Sequence, residues 1–291
     1  MTAPAHVRTC YRHPDRPAGI TCQRCDRPIC PSCMHQASVG FHCPDCARTG
    51  AQRVQRGVPR SLPRPLLTQV LVAVNAVVFL ADVVVTGPGS FGGTTLSDFA
   101  LDAGLWPPAT PEEPWRLVTS GFLHAGILHI ALNMWVLLMM GRILEPALGR
   151  LRFAAVYAAS LLVGSLGVTI FDVVADSERI AVTVGASGAI FGLMGALVVV
   201  ARDRRVDLMR TGILPTIGIN LVFTLTIPGI SIGGHLGGLV GGLLTGLLAV
   251  AVPRRVAGPA GEAVAAAAIA VVGLIAAGTA VALSAATWTL A

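Results

Sequence analysis

Two short motifs carry residue types capable of acyl-transfer chemistry. Gly185-Ala186-Ser187-Gly188 sets a serine between glycines at the head of an apolar run, and Ile232-Gly233-Gly234-His235-Leu236-Gly237-Gly238 places a histidine near the start of another. A hydroxyl and an imidazole are a nucleophile and its general base if the fold brings them together. Ionisable groups in apolar spans are costly, so their presence points to function. Small residues such as serine and glycine also pack membrane helices. That reading accounts for Ser187 but not for His235.

Neither apolar run contains an Asp or Glu, so the expectation is a dyad and not a triad. Phe191 follows Ser187 by four residues, on the same face of a helix; its ring is expected either to orient the imidazole in place of the missing acid or simply to pack. His129 and Asn133 are also four apart and share a face. Both can present N–H groups to a developing oxyanion, alongside the Ser187 amide, or can bond to neighbouring helices. His124 is read as lining a cavity or binding water, and Gly185 and Gly188 as allowing close backbone approach.

The elements that must position these groups are membrane spans. The chain has 291 residues, is 54% hydrophobic and only 12% charged, about half the charge of a soluble domain. Most of its surface is therefore expected to face lipid. A span needs about 20 apolar residues, and seven candidates lie near 66–86, 117–140, 151–173, 187–201, 211–229, 231–252 and 263–285. The fourth, roughly 22 Å long as a helix, is too short for a hydrocarbon core of about 30 Å. It would start below the surface, with Ser187 at the floor of a water-filled cavity. Gly238, Gly242 and Gly246 recur every fourth residue along the sixth span and would let it pack tightly on the fourth.

All 21 basic residues are arginine, and with the abundant alanine this suggests a GC-rich genome. The net charge of +6 is spread over the ends of apolar runs, not gathered into a nucleic-acid surface, so no nucleic-acid partner is expected. With the N-terminus inside, the inner segments hold Arg53, Arg56, Arg60, Arg64, Arg142, Arg150, Arg152, Arg202, Arg204, Arg205, Arg210, Arg254 and Arg255, and the outer ones only Arg116 and Arg179. The positive-inside rule then places the N-terminus in the cytoplasm and the C-terminus outside. The expectation is a multi-pass protein of a bacterial plasma (inner) membrane. The polar, cysteine-rich N-terminus does not read as a signal peptide. In this topology His124, His129, Ser187 and His235 all lie at the outer side, at similar depth.

Residues 1–50 hold all seven cysteines in the pattern Cys10-x2-His13, Cys22-x2-Cys25, Cys30-x2-Cys33 and Cys43-x2-Cys46. Eight ligands suffice for two tetrahedral zinc ions. Disulfides are disfavoured in the cytoplasm and would leave one cysteine over. A segment this small could hardly fold without metal. His35 or His42 could replace a cysteine in either set. Redox catalysis through a C-x2-C pair lacks the βαβ context it requires. The module is either a docking or regulatory device for a cytoplasmic protein partner or an inert folded cap. Residues 51–65, with Arg53, Arg56, Arg60, Arg64 and three prolines, read as a basic linker.

The stretch Gly121-Phe122-Leu123-His124-Ala125-Gly126-Ile127-Leu128-His129-Ile130-Ala131-Leu132-Asn133, with Trp115-Arg116 before it, Gly141-Arg142-Ile143-Leu144-Glu145 after it, Gly185-Ala186-Ser187-Gly188 and His235, resembles the rhomboid intramembrane serine proteases over roughly 66–255. The resemblance implies an all-α membrane fold with a six-helix core. It implies a Ser187–His235 dyad without a catalytic cofactor, an oxyanion site of His129, Asn133 and the Ser187 amide, and an aromatic, often Tyr, at the position of Phe191. It also implies a large first loop, 87–116, half embedded in the outer leaflet and anchored by Trp115-Arg116. The implied substrates are membrane proteins whose own helix unwinds near its outer end, cut beside small residues. Residues 256–291 would be an added seventh helix. Residues 1–50 resemble B-box-type zinc fingers, whose interleaved pairs assign Cys10, His13, Cys30 and Cys33 to one ion and Cys22, Cys25, Cys43 and Cys46 to the other. The alternative is a catalytically inactive relative that binds transmembrane helices; loss of Ser187 or His235 would mark it, and both are present. A transporter would show internal repeats and broken helices, and a channel a ring of like charge; neither pattern is found.

Overall fold

Apolar length makes most of this chain helical, because a backbone in lipid must satisfy its own hydrogen bonds. The computed structural model describes residues 8–37, 39–50, 64–92, 95–175 and 181–288, and the chain divides into two units, 1–61 and 62–291. The expected linker lies outside the described residues except for Arg64 and Pro65.

The N-terminal unit has two antiparallel hairpins, β1 (Ile20–Thr21) with β2 (Pro28–Ile29) and β3 (His35–Gln36) with β4 (Phe41–His42), then helix α1 (Pro44–Gly50). Its buried centre is Cys10, Cys22, Cys30, Cys33 and Cys43 around Ile29. Cysteines stand where a larger domain would have leucines, so side-chain packing alone gives this unit little stability.

The second unit comprises α2 (Leu66–Thr86), the short α3 (Asp98–Ala103) and α4 (Arg116–Thr119), then α5 (Ile127–Leu148), α6 (Arg150–Val174), α7 (Ser187–Asp203), α8 (Ile213–Thr226), α9 (Ile232–Arg255) and α10 (Pro259–Thr287). Five of them, α2, α5, α6, α9 and α10, are long and apolar enough to cross a membrane. The 17 residues of α7 rise only about 25 Å and the 14 of α8 about 21 Å. The fifth expected span is thus shorter than its hydropathy suggested. Gly212, at φ 75°, opens it late, and the chain turns at Pro228 and Gly229.

The second expected span, 117–140, is displaced. Residues 116–122 form α4 and a 3₁₀ turn, Gly126 adopts φ 98°, and the long helix runs from Ile127 to Leu148. His124 therefore precedes the helix instead of lying in it, while Arg142 and Glu145 lie within it. The carboxylate of Glu145, which reads locally as the end of a span, accepts the amides of Leu67 (3.0 Å) and Thr68 (2.8 Å) and the Thr68 hydroxyl (2.7 Å). It caps the open N-terminus of α2 and so stays buried at 3% exposure.

Helix α9 is wedged between α6 and α7 along glycine seams. A methyl group on Gly238 or Gly242 would strike the carbonyl oxygen of Gly188 or Gly192 on α7, and one on Gly246 would lie 2.9 Å from the Ala196 Cα. On the other side a methyl group on Gly237 would lie 2.9 Å from the Gly167 Cα of α6. Backbones this close gain van der Waals contact without any help from water exclusion, and they leave little freedom in how α9 sits on α7.

Candidate active site

Ser187 is the first residue of α7, and the strand-like segment before it is pinned from both directions. Thr183 exchanges amide–carbonyl bonds with Leu105 (2.9 and 2.8 Å), and the Gly185 amide donates to the Ser120 carbonyl at 2.9 Å. Gly185 has φ 129°, and an added Cβ would stand 2.8 Å from His129 Nε2. Only glycine suits that backbone and that gap. The first turn of α7 has no side-chain cap, so its amides and the helix dipole point at whatever occupies the space before Ser187.

His235 lies in the first turn of α9, capped by Ser231, whose hydroxyl accepts from the Gly234 amide at 3.1 Å. Its Nε2 is 2.7 Å from Ser187 Oγ. The Phe191 ring stacks on the imidazole, with centroids 4.1 Å apart and planes at 19°. The other ring nitrogen, Nδ1, is 2.7 Å from Thr224 Oγ1 on α8. A hydroxyl thus occupies the place a triad gives to a carboxylate. Nothing in the local sequence marks Thr224, since a threonine in an apolar helix ordinarily bonds back to its own backbone.

His129, in the first turn of α5, accepts the Ala125 amide on Nδ1 at 3.2 Å. Its ring proton therefore sits on Nε2, the nitrogen that faces Gly185. Asn133, one turn later, is buried, and its side chain makes no hydrogen bond among the described residues. The N-terminal ends of α5, α7 and α9 thereby converge on one point. His124 packs edge-on to His129 with centroids 5.0 Å apart, and neither of its ring nitrogens has a partner among the described residues. Ser187 and His235 line a cavity of about 20 Å³ with Ser120, Thr183 and Gly185, room for a single water. Gly188 packs its Cα toward Gly164 and the Gly234 carbonyl.

Of the expected pair Trp115-Arg116, only the arginine is built in. Arg116 donates to the carbonyls of Leu101 and Gly104, both at 2.9 Å, and pairs with Glu113. Trp115 is half exposed because it sits at the outward start of α4.

In the N-terminal unit the ligand atoms fall into two groups, Cys10, His13, Cys30 and Cys33, and Cys22, Cys25, Cys43 and Cys46, each within 4.8 Å of one another. His13 Nδ1 is 3.9, 3.5 and 3.4 Å from the three sulfurs, and Cys25 and Cys43 are 3.7 Å apart. Tetrahedral zinc with bonds of about 2.3 Å to sulfur and 2.0 Å to nitrogen has edges of roughly 3.5–3.8 Å, so the residues present fit the ion. Burial alone would push the Cys22 thiol up, but main-chain amides, that of Cys43 at 3.1 Å first, outweigh it and hold the group at about 6. Thiolates are the form that ligates. His35 and His42 face each other across β3 and β4 and belong to neither group.

Residues 111–252 match the family model "Rhomboid domain". The chain is 38% identical over 127 residues to "Rhomboid protease GluP" of Bacillus subtilis, covering 43% of this chain and 24% of that protein. It is 45% identical over 85 residues to "RHOMBOID-like protein 5" of Arabidopsis thaliana, covering 29% and 26%. With "Rhomboid-related protein 3" of Homo sapiens it shares 32% identity over 115 residues, covering 36% and 27%. The aligned regions thus span about a quarter of each relative's length, 24%, 26% and 27%.

Proposed function

We propose that this chain, whose residues 111–252 match a rhomboid domain, is a rhomboid-type intramembrane serine endopeptidase whose substrates are transmembrane proteins. The observation that carries the reading is the 2.7 Å bond between Ser187 Oγ and His235 Nε2, which joins two helices whose partners lie 48 residues apart in the chain. Ser187 attacks the scissile carbonyl while His235 Nε2 takes the hydroxyl proton; the imidazolium then returns that proton to the departing amine. Water repeats the sequence on the acyl-enzyme. The developing oxyanion is held by the Ser187 amide, by Nε2–H of His129 and by the Asn133 carboxamide. Phe191 keeps the imidazole plane fixed through the proton transfers.

The arginine distribution supports a cytoplasmic N-terminus and an extracytoplasmic C-terminus in a bacterial plasma membrane. The site then opens near the outer surface and cuts substrate helices at their outer ends. Residues 66–255 form the protease core and α10 an addition to it. The two Cys/His groups hold structural zinc ions in a cytoplasmic module that docks a protein partner.

The test is labelling of the detergent-solubilised full chain with a fluorophosphonate, a probe that phosphonylates only an activated serine. Wild type should label, and Ser187→Ala and His235→Ala should not. A folded wild type that fails to label would favour a non-catalytic, helix-binding relative.

A further inference from the structure

The Thr224 hydroxyl has a carbonyl acceptor on its own helix. Thr224 Oγ1 donates to the Asn220 carbonyl one turn earlier on α8, at 2.8 Å. With its proton on that carbonyl, the hydroxyl meets His235 Nδ1 at 2.7 Å through an oxygen lone pair, since a hydroxyl has one proton and two acceptor sites. The ring proton of neutral His235 then sits on Nδ1, and Nε2 presents a lone pair to Ser187 Oγ at 2.7 Å. A general base requires that tautomer; the opposite one would aim an N–H at the nucleophile. Thr224 is 2% exposed and His235 8%, so water has little room to substitute.

We infer that Thr224 is the positioning residue of the dyad: it sets the tautomer and aim of His235 and accepts a stronger bond once the ring becomes an imidazolium. The inference rests on Ser187 and His235 acting as proposed above. It also gives α8 a part in the chemistry. The only buried side chains of this helix are Ile217 and Thr224, so the bond that tethers α8 to α9 is the bond that aims the base.

The decisive variants are Thr224→Val, which keeps the shape and removes the acceptor, and Thr224→Ser, which keeps the hydroxyl. Fluorophosphonate labelling of the full chain in detergent should show the limiting rate falling roughly 10- to 100-fold in Thr224→Val, the range spanned by a hydrogen bond to a charged group. The half-saturating probe concentration should stay within about twofold, and Thr224→Ser should restore most of the rate. A merely structural role would instead follow loss of folded protein and leave the tautomer alone. Nitrogen NMR of histidine-labelled wild type, with His235 identified by the signal lost in His235→Ala, should show a protonated Nδ1 and a bare Nε2 near neutral pH. The Thr224→Val protein should lose that bias.

Wild-type labelling speed in Thr224→Val, or a protonated Nε2 in the wild type, overturns the assignment; the second reading holds even if the valine variant does not fold. If wild type and Ser187→Ala label equally, the protease reading fails separately, while the tautomer still decides what Thr224 does to His235.

Discussion

Replacing Gly185 with alanine tests the proposed oxyanion site without touching Ser187. The new Cβ would stand 2.8 Å from His129 Nε2 and 3.5 Å from Ser187 Oγ, where ordinary contact begins at 3.4 Å. Ser187 can therefore stay, but the His129 ring must retreat by about 0.6 Å, enough to stretch a good hydrogen bond of about 2.9 Å beyond useful length. Loss of one oxyanion donor costs about 10²–10³ in rate, or about 3–4 kcal/mol. The backbone adds a separate cost. At φ 129° an L-residue carries about 1–3 kcal/mol of strain, which falls on stability more than on rate. Fluorophosphonate labelling of Gly185→Ala should slow by about 100-fold, with His129→Ala slowed comparably. Because both changes remove the same donor, the double variant should be no more than about threefold slower than either alone. Wild-type labelling by Gly185→Ala, or losses that multiply in the double variant, would refute the assignment of His129 Nε2–H to the oxyanion.

Phe191→Leu keeps the apolar volume and removes the stack on His235; an aromatic pair worth about 0.5–1.5 kcal/mol predicts labelling about 2- to 10-fold slower. Glu145→Ala leaves the Leu67 and Thr68 amides unpaired and should lower the thermal stability of the solubilised protein by several kcal/mol, about 3–5 for a broken buried charge interaction; Glu145→Gln, which keeps one acceptor, should lose clearly less. Removing metal with a chelator, or substituting Cys22, should open residues 8–50 to protease and cut the zinc content from two per chain to one or none. The membrane helices should resist the same protease, and labelling at Ser187 reports whether the two units are coupled.

The second span runs over Ile127–Leu148 and not 117–140, and each end shifts for a physical reason. The partners of Glu145 are the amides at positions 67 and 68, 78 and 77 residues away in sequence. A window along the chain sees a charge that should end a helix. The fold supplies the helix N-terminus that makes the charge tolerable. The start of the span was misplaced for the complementary reason: Leu117 and Phe122 are apolar, but they are spent in short turns that hold the segment before Ser187.

Features written in local spacing were legible from the chain alone. Four C-x2-C or C-x2-H pairs announce eight candidate ligands, because the turn that pairs them is itself local, and Phe191 follows Ser187 by one helical turn. Apolar run length announced the membrane helices and the shortness of α7. Tertiary structure alone decided how separate helix ends meet: Ser187 against His235, His129 against Gly185, and the Thr224 lone pair against Nδ1 of His235. Helical periodicity says which side chains share a face. Which faces touch depends on how closely backbones approach, here through the glycines of α9, and on hydrogen bonds that close only when the helices are already packed.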